Sequence, residues 1–102
     1  MKIYIAGPMT GYPDYNRASF NANAELLRYR GHEVINPAEL PEPAHPAWEE
    51  YLKVALREML GCDMVAVIPG WELSAGACLE VDIAKRLKIP CMDAANVRVD
   101  GK

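Results

Sequence analysis

The sequence predicts a three-layer α/β sandwich built on a parallel sheet of four or five strands. Short apolar or β-branched runs alternate with longer segments in which apolar residues recur at helical spacing. Each segment between consecutive strands is also long enough for the right-handed crossover that joins parallel strands. The chain has 102 residues, 51% of them hydrophobic and 25% charged. This composition is typical of a single globular domain with a modest core.

Turn-forming residues mark the ends of the first predicted strand and the first predicted helix. The run Lys2–Ala6 is rich in strand formers and stops at Gly7. A loop leads into a helix, which ends before Gly31, a glycine in the position that commonly follows a helix. The predicted buried stripe of this helix consists of Phe20, Ala24 and Leu27.

A second strand, Glu33–Asn36, is predicted next, and His32 at its start is expected to face solvent. The following stretch contains four prolines in ten residues, which disfavours regular structure: Pro37, Pro41, Pro43 and Pro46. His45 lies among these prolines. We expect this proline-rich loop to cross the opening of a site as a stiff connection.

The second half repeats the alternation: helix Trp48–Leu60, a nearly continuous apolar strand Asp63–Ile68, helix Ala75–Leu87 and strand Ile89–Met92. The apolar stripe of the first of these helices is predicted to contain Leu52, Leu56, Met59 and Leu60. Residues 1–102 are predicted to form one domain, in which the tail 93–102 either carries a short strand at Val97–Val99 or is loose.

Open parallel sheets of this flavodoxin-like or Rossmann-like kind bind ligands beyond the carboxyl ends of their strands, where the strand order switches. The segments expected there are Gly7–Asp14, the proline-rich loop and Pro69–Ser74. All three carry turn residues together with polar or aromatic side chains. Their position is the first indication of a ligand site.

Charge and composition exclude several classes of function. The net charge is −3 and the 11 Lys and Arg residues are scattered, so a nucleic-acid polymer is not an expected partner. No apolar run approaches the roughly 20 residues that span a bilayer, and no signal-peptide pattern is present, so neither a membrane partner nor export is expected. Cys62, Cys78 and Cys91 show no CxxC pair, which favours reduced thiols in the cytoplasm and neither a disulfide framework nor a metal site. No cofactor is expected.

Glu80 is the most informative residue, because a carboxylate here occupies the apolar face of a helix. Ser74 suits the N-cap, and Gly76 would allow another group to approach the first turn closely. Burial would raise the pKa of the Glu80 carboxyl, whereas the helix N-terminus would oppose that rise. Such a carboxylate can act as a nucleophile or as an acid or base. It can equally be structural, paired with Tyr4, a backbone group or water.

Other candidates carry weaker signals. The loop "GPMTG" could hold a phosphate or a sugar, or be an ordinary turn between strand and helix. Trp71 could stack on a base or sugar, or plug the core beneath its loop. Tyr4 lies inside a strand, where a tyrosine is either a core or a site residue.

Together, the segments "KIYIAGPMTG", "SAGACLE" and "KIPCM" resemble the nucleoside 2-deoxyribosyltransferase superfamily. The chain looks closest to small phage and bacterial members with "AGPMTG" and "PGWE" signatures. The likeness extends from residue 1 to about residue 92, which is almost the whole predicted fold.

The resemblance implies cleavage or transfer of the N-glycosidic bond of a 2′-deoxynucleoside or its 5′-monophosphate. It implies Glu80 as the nucleophile and Tyr4 as the residue that positions the carboxylate or the sugar. The residues it implies for phosphate binding are Gly7, Met9, Thr10, Gly11, Ser74 and Gly76. With Pro8 and Trp71 they form the predicted substrate-binding set. It also implies a homodimer or larger homo-oligomer in which neighbouring subunits help to complete each site.

Two positions depart from the family pattern. Relatives carry an aspartate, placed to assist the departing base, where this chain has Ala55. Either Glu72 or Asp14 substitutes for it, or the chain has lost much of its activity. Thr10 stands where some nucleotide-hydrolysing relatives carry an arginine.

Three functions are therefore open at this point. The first is an enzyme in which Glu80 stabilises, and covalently traps, the oxocarbenium-like transition state of a deoxyribosyl bond. The second is a non-catalytic nucleotide-binding or sensor module with a degenerate site. The third is an interaction protein whose pocket is vestigial.

Overall fold

A computed structural model describes residues 1–40 and 47–100 of the chain. Its four strands are β1 (Lys2–Ala6), β2 (Glu33–Ile35), β3 (Met64–Val67) and β4 (Cys91–Asp93). They form one sheet in the order β2-β1-β3-β4, and every neighbouring pair is parallel. The chain moves outward from β1 to β2 and then returns to the other side of β1. The strand order therefore switches between β1 and β3.

Three helices cover the sheet: α1 (Arg17–Tyr29), α2 (Trp48–Met59) and α3 (Ala75–Arg86). The arrangement confirms the predicted three-layer, flavodoxin-like or Rossmann-like α/β fold, with four strands. The predicted crossing of a site by the proline-rich loop falls largely on residues 41–46, which lie outside the described residues.

Two separate cores form because side chains alternate between the faces of a strand. In β1, Ile3 and Ile5 point to one face, where they pack with Phe20 and Leu27 of α1. Tyr4 points to the opposite face. The core on that face also contains residues of α2, α3 and β3: Met59, Ala77, Val81, Ala84, Val65 and Val67. Tyr4 therefore lies beneath the two helices that flank the predicted site.

Local signals in the sequence account for several helix ends. Gly31 follows α1 with a φ of +91°, a left-handed conformation that glycine adopts without strain. Ser74 precedes α3, and its Oγ accepts a hydrogen bond from the Ala77 N–H at 3.2 Å, which confirms it as the N-cap. Leu60, predicted to belong to the buried stripe of α2, is instead exposed, because α2 ends at Met59.

The segment after β4 is neither an extra strand nor loose as far as Asp100. Val97 is only 3% exposed, and its carbonyl oxygen accepts a hydrogen bond from Arg30 Nη1 at 2.6 Å. The Asp100 N–H donates to the Arg30 carbonyl at 2.8 Å. The tail thus packs against the turn that precedes β2.

This packing corrects the expectation for His32. The residue is 6% exposed, and its ring Nε2 lies 2.7 Å from the Arg98 carbonyl oxygen, to which it donates a hydrogen bond. His32 is buried because the tail covers it, a long-range contact that the residues around position 32 do not reveal.

In the described parts of the chain, no helix is long and apolar enough to cross a membrane.

Gly7 joins β1 to its loop where space is very limited. A Cβ at this position would lie 2.3 Å from Ile68 Cγ1 and 3.3 Å from Phe20 Cζ. Ile68 is buried and has little freedom to move. Close packing therefore explains a glycine here, whatever the loop binds.

We expect Gly7→Ala to lower the free energy of unfolding by about 1–3 kcal/mol, the usual range for overpacking a core. Urea unfolding measures the change. Gly61→Ala is the matched control, because a Cβ there would meet only the Glu58 carbonyl oxygen at an ordinary 3.6 Å. A Gly7→Ala protein as stable as the wild type would contradict this explanation.

Candidate active site

The site is built around Tyr4, a residue held in the middle of the sheet. It lies in β1 opposite Ile35 of β2 and Val65 of β3, so both neighbouring strands restrain its backbone. The side chain is 1% exposed. Its hydroxyl needs a partner in this position, since burying an unpaired hydroxyl costs several kcal/mol.

Glu80 provides that partner from α3. The Tyr4 hydroxyl donates a hydrogen bond of 2.5 Å to Glu80 Oε2. Glu80 is 6% exposed and lies between the first and second turns of α3. Within residues 1–40 and 47–100, no hydrogen bond reaches its other oxygen, Oε1. The pair therefore fixes one oxygen of the carboxylate, whereas the other has no hydrogen-bond partner among the described residues.

Burial controls the ionisation of both side chains. It raises the pKa of the Glu80 carboxyl to about 7, although the hydrogen bond from Tyr4 acts in the opposite direction. The pKa of the Tyr4 hydroxyl is raised well above its ordinary value, mainly by burial and then by the charge of Glu80. Tyr4 therefore stays protonated and remains the donor at neutral pH, while Glu80 exchanges its proton in the physiological range.

Gly76 and Trp48 lie close to one another at the N-terminal end of α3. Gly76 is one helical turn before Glu80, and helical side chains lean toward the N-terminus, so the Glu80 side chain lies over the Gly76 turn. A Cβ at Gly76 would stand 3.8 Å from Trp48 Nε1. The Trp48 ring, at the start of α2, is about half exposed. Gly76 is thus one helical turn from Glu80 and close to the Trp48 ring.

The sequence analysis did not place Trp48 in the site and used it only as the start of a helix. An available signal was its position at the head of a helix that begins at the ligand-binding edge of the sheet. Its proximity to Gly76, which lies 28 positions along the chain, is a tertiary contact that no local pattern contains.

The "GPMTG" loop packs partly against the α1 side of the sheet. Gly7 packs against Ile68, Pro8 is buried, and Met9 packs against the core on the α1 side of the sheet. Thr10 and Gly11 are exposed. Gly7 and Met9 are partly exposed.

The segment that joins this loop to α1 contains a left-handed turn. Asp14, Tyr15 and Asn16 have φ values of 49°, 53° and 62°, a left-handed conformation that costs about 1–2 kcal/mol for each non-glycine residue. Asn16 Nδ2 stabilises the turn by donating to the Pro8 carbonyl at 2.9 Å. The glycine-rich loop therefore does not lead directly into a helix N-terminus, as a phosphate-binding loop does.

Trp71 contacts both the core and a cavity. It is half-buried against the core that contains Tyr4, and it also lines a cavity of about 590 Å³. The other lining residues come from α1, from the ends of β3 and β4 and from the turns that follow them: Ser19, Asn23, Val67, Ile68, Pro69, Gly70, Glu72, Asp93, Ala94, Ala95 and Asn96. Glu80 lines neither this cavity nor a second one of about 810 Å³ beside Arg30 and the tail.

Position 55, an alanine, brings no acidic group to the Tyr4–Glu80 pair. It packs against the apolar core that contains Tyr4. Of the two suggested substitutes, Asp14 pairs with Arg17 at 3.4 Å, and Glu72 is an exposed residue of the cavity lining. In the described part of the chain, neither carboxyl group forms a hydrogen bond with Tyr4 or Glu80. The same residues contain no group of three metal-binding side chains.

The family described as Domain of unknown function (DUF4406) matches residues 1–93. The chain belongs to this family. In this DUF4406 protein the match covers all four strands and all three helices described above. No curated protein matches the chain.

Among solved structures, the DUF4406 chain is similar to a 2-deoxyribosyltransferase from the psychrotolerant bacterium Bacillus psychrosaccharolyticus. The two share 26% sequence identity with a TM-score of 0.72, over 90% of this chain and 70% of the other. That enzyme is described as a biocatalyst for the synthesis of antiviral and antitumoral nucleosides. The similarity supports the superfamily suggested by the sequence resemblance.

Glu80→Gln is expected to change how stability depends on pH. The pKa of Glu80 is about 7 in the folded state, against an ordinary value of 4.5, so the folded state holds this proton more strongly than the unfolded state does. The stabilisation from this group is complete below the ordinary value and is lost as pH rises to about 7. The substituted glutamine stays neutral and can still accept from Tyr4. We expect the variant to match the wild type near pH 4 and to exceed it by about 3 kcal/mol near pH 8.

Urea unfolding over a series of pH values measures this difference. Glu25→Gln, an exposed residue of α1, is the matched control and should follow the wild-type curve. If the free energy of unfolding of wild type and Glu80→Gln varied with pH in the same way, Glu80 would ionise as easily in the folded protein as in the unfolded one. That result would contradict the prediction.

Proposed function

We propose that the protein cleaves or transfers the N-glycosidic bond of a 2′-deoxynucleoside or its 5′-monophosphate, with Glu80 as the nucleophile. The observation that carries the proposal is the buried hydrogen bond from Tyr4 to Glu80, which lies where the strand order switches and leaves Glu80 Oε1 unpaired among the described residues. The similarity to a 2-deoxyribosyltransferase supports the same class of reaction.

In the proposed reaction, the ionised carboxylate of Glu80 attacks the anomeric carbon of the sugar through Oε1. The bond between that carbon and the base nitrogen breaks, and its electron pair leaves with the base, which takes up a proton. The positive charge that develops on the sugar is stabilised by the carboxylate and then replaced by an ester bond to Glu80. A second base or a water molecule attacks the same carbon and releases Glu80, giving transfer or hydrolysis.

Tyr4 is a positioning residue in this scheme. Its hydrogen bond to Oε2 fixes the carboxylate plane, so that Oε1 presents one lone-pair direction to the substrate. The same bond lowers the pKa of Glu80 against the effect of burial. It thereby increases the fraction of nucleophilic carboxylate at neutral pH.

Proton delivery to the departing base is the weakest part of the catalytic arrangement, because Ala55 replaces the acid that the resemblance leads one to expect. General acid help is typically worth a factor of about 10²–10⁴ in rate. A base that leaves with a solvent proton, or with one from Glu72 or Asp14, would give a slow enzyme.

A second candidate, a non-catalytic nucleotide-binding or sensor module, is favoured by two observations. Ala55 lies in an apolar environment, and Glu80 lines neither of the two cavities given above. In this alternative, Tyr4 and Glu80 recognise a sugar hydroxyl and no bond is broken.

The proposal of either function includes a homodimer or larger homo-oligomer, which light scattering of the purified protein tests.

The first experiment is incubation with a panel of deoxynucleosides and their monophosphates, followed by detection of free base. We expect base release by the wild type and a loss of at least about 10³-fold in Glu80→Gln, because this variant keeps the hydrogen bond to Tyr4 but has no nucleophilic charge. Equal, background-level release by both proteins would contradict the enzymatic proposal. Nucleotide binding without release would favour the sensor.

The pH profile of the same reaction tests the role of Tyr4. Because the nucleophile must be ionised, kcat/KM is expected to rise with pH up to an apparent pKa of about 7. Tyr4→Phe removes the donor that lowers this pKa, so the rise should move to higher pH. An unmoved profile with a uniformly lower rate would instead indicate that Tyr4 contributes only to packing.

Trp48 is expected to contact the base, because its half-exposed ring stands beside Gly76 at the edge of the site. Stacking on an aromatic ring is worth about 1–3 kcal/mol per base, so Trp48→Ala should raise KM or Kd by roughly 5- to 150-fold, with a smaller effect for Trp48→Phe. In Trp71→Phe, Trp48 is the only tryptophan, and added base should quench its fluorescence. Unchanged fluorescence with normal turnover would place the base elsewhere.

A further inference from the structure

A crevice is expected at the carboxyl ends of β1 and β3, because the strand order switches between these two strands. Ala6 ends β1 and pairs in register with Val67, the last residue of β3. Beyond them, the loop after β1 leads to α1, which packs on one face of the sheet. The turn after β3 leads to α3, which packs on the other face. The two connections therefore diverge.

Tyr12 bridges these two connections. A Cβ at Gly70, in the turn after β3, would lie 2.7 Å from the hydroxyl oxygen of Tyr12 and 3.8 Å from its Cζ. The same position would lie 3.1 Å from Pro8 Cγ. The tip of the Tyr12 side chain, which belongs to the first loop, therefore lies against the turn after β3.

The first loop holds the backbone of Tyr12 in place. The Tyr12 N–H donates to the Met9 carbonyl at 3.2 Å, and the Tyr12 carbonyl accepts from the Tyr15 N–H at 3.0 Å. Residues 14–16, with their left-handed backbone, belong to the same segment. Strained conformations of this kind persist only where the surrounding structure fixes them, and they cluster at ligand sites. The loop thus presents the Tyr12 side chain from a fixed backbone position.

The hydroxyl of Tyr12 is available to a ligand. Tyr12 is 40% exposed, and within residues 1–40 and 47–100 its hydroxyl forms no hydrogen bond. A side chain that served only to cover Gly70 would not need this oxygen, because the ring supplies the apolar contact. A tyrosine hydroxyl can both donate and accept a hydrogen bond.

The crevice and the Tyr4–Glu80 pair share the same two strands. Tyr4 lies two residues before the end of β1 and is paired with Val65 of β3. Two residues of a strand span about 7 Å, which is less than the length of a nucleoside. A ligand whose anomeric carbon meets Glu80 can therefore extend its sugar toward the crevice that Tyr12 bridges.

We propose that Tyr12 is a ligand-binding residue whose hydroxyl forms a hydrogen bond with a sugar hydroxyl of the nucleoside. This inference rests on the proposed function and specifies how the site recognises the sugar. In a 2′-deoxynucleoside, the 3′- and 5′-hydroxyls lie away from the base, on the far side of the sugar ring. A base beside Trp48, at the start of α2, therefore leaves these hydroxyls for the first loop on the other side of the crevice.

The test is a double-mutant cycle measured by calorimetry in Glu80→Gln, which removes turnover from the measurement. The ligands are a 2′-deoxynucleoside and its two analogues that lack the 3′- or the 5′-hydroxyl. We expect Tyr12→Phe, combined with Glu80→Gln, to weaken binding of the nucleoside by about 2- to 13-fold, the effect of losing one neutral hydrogen bond. The same substitution should not weaken binding of the analogue that lacks the partner hydroxyl.

Tyr15→Phe combined with Glu80→Gln is the matched control. Tyr15 lies three residues along the same segment and is 59% exposed, so this variant should bind all three ligands as the parent does. If Tyr12→Phe left the binding of all three ligands unchanged, or weakened all three equally, the inference would be overturned. Neither pattern depends on a sugar hydroxyl.

Kinetics with Glu80 intact separate this inference from the function on which it rests. Tyr12→Phe should raise KM and leave kcat nearly unchanged, because a hydroxyl away from the reacting bond is bound equally before and in the transition state. Base release with equal KM in both proteins would overturn the role of Tyr12 and leave the proposed reaction intact. No base release by the wild type, with no binding to Glu80→Gln, would overturn both.

Discussion

The structure depends most on one interaction, the hydrogen bond between Tyr4 in the centre of the sheet and Glu80 on α3. A carboxylate in this apolar setting loses hydration, and a single neutral donor recovers only part of that loss. The result is a pKa of about 7 and a group that destabilises the fold whenever it is charged. A glutamine here would keep the hydrogen bond from Tyr4 and stay neutral. Local rules of this kind are usually broken at functional sites.

The fold brings this pair to the ligand-binding edge by keeping two cores separate. On the α1 side, the first loop packs against the core through the contact between Gly7 and Ile68. Val97 of the tail packs into the same core. The core on the other side is built of small residues of α3, which let the helix lie close to β1. The first core therefore supplies rigidity, whereas the second presents Glu80 above the switch in strand order.

The distribution of charge stabilises the helices. Acidic residues such as Glu49 in the first turn of α2 and basic residues such as Arg86 in the last turn of α3 complement the helix dipoles. The ring of Trp48, which begins α2, lies close to Gly76 in the first turn of α3.

The sequence by itself determined the elements and the main candidate, because helical and strand periodicity, caps and glycine ends are local properties. Those properties place Glu80 on the apolar face of α3 and Ser74 at its N-cap. Tertiary structure alone decided that Glu80 meets Tyr4, 76 positions away, that Trp48 stands over Gly76, and that the tail buries His32. Contacts of this kind depend on strand order and on which face each helix covers, and no pattern within a short window of residues contains that information.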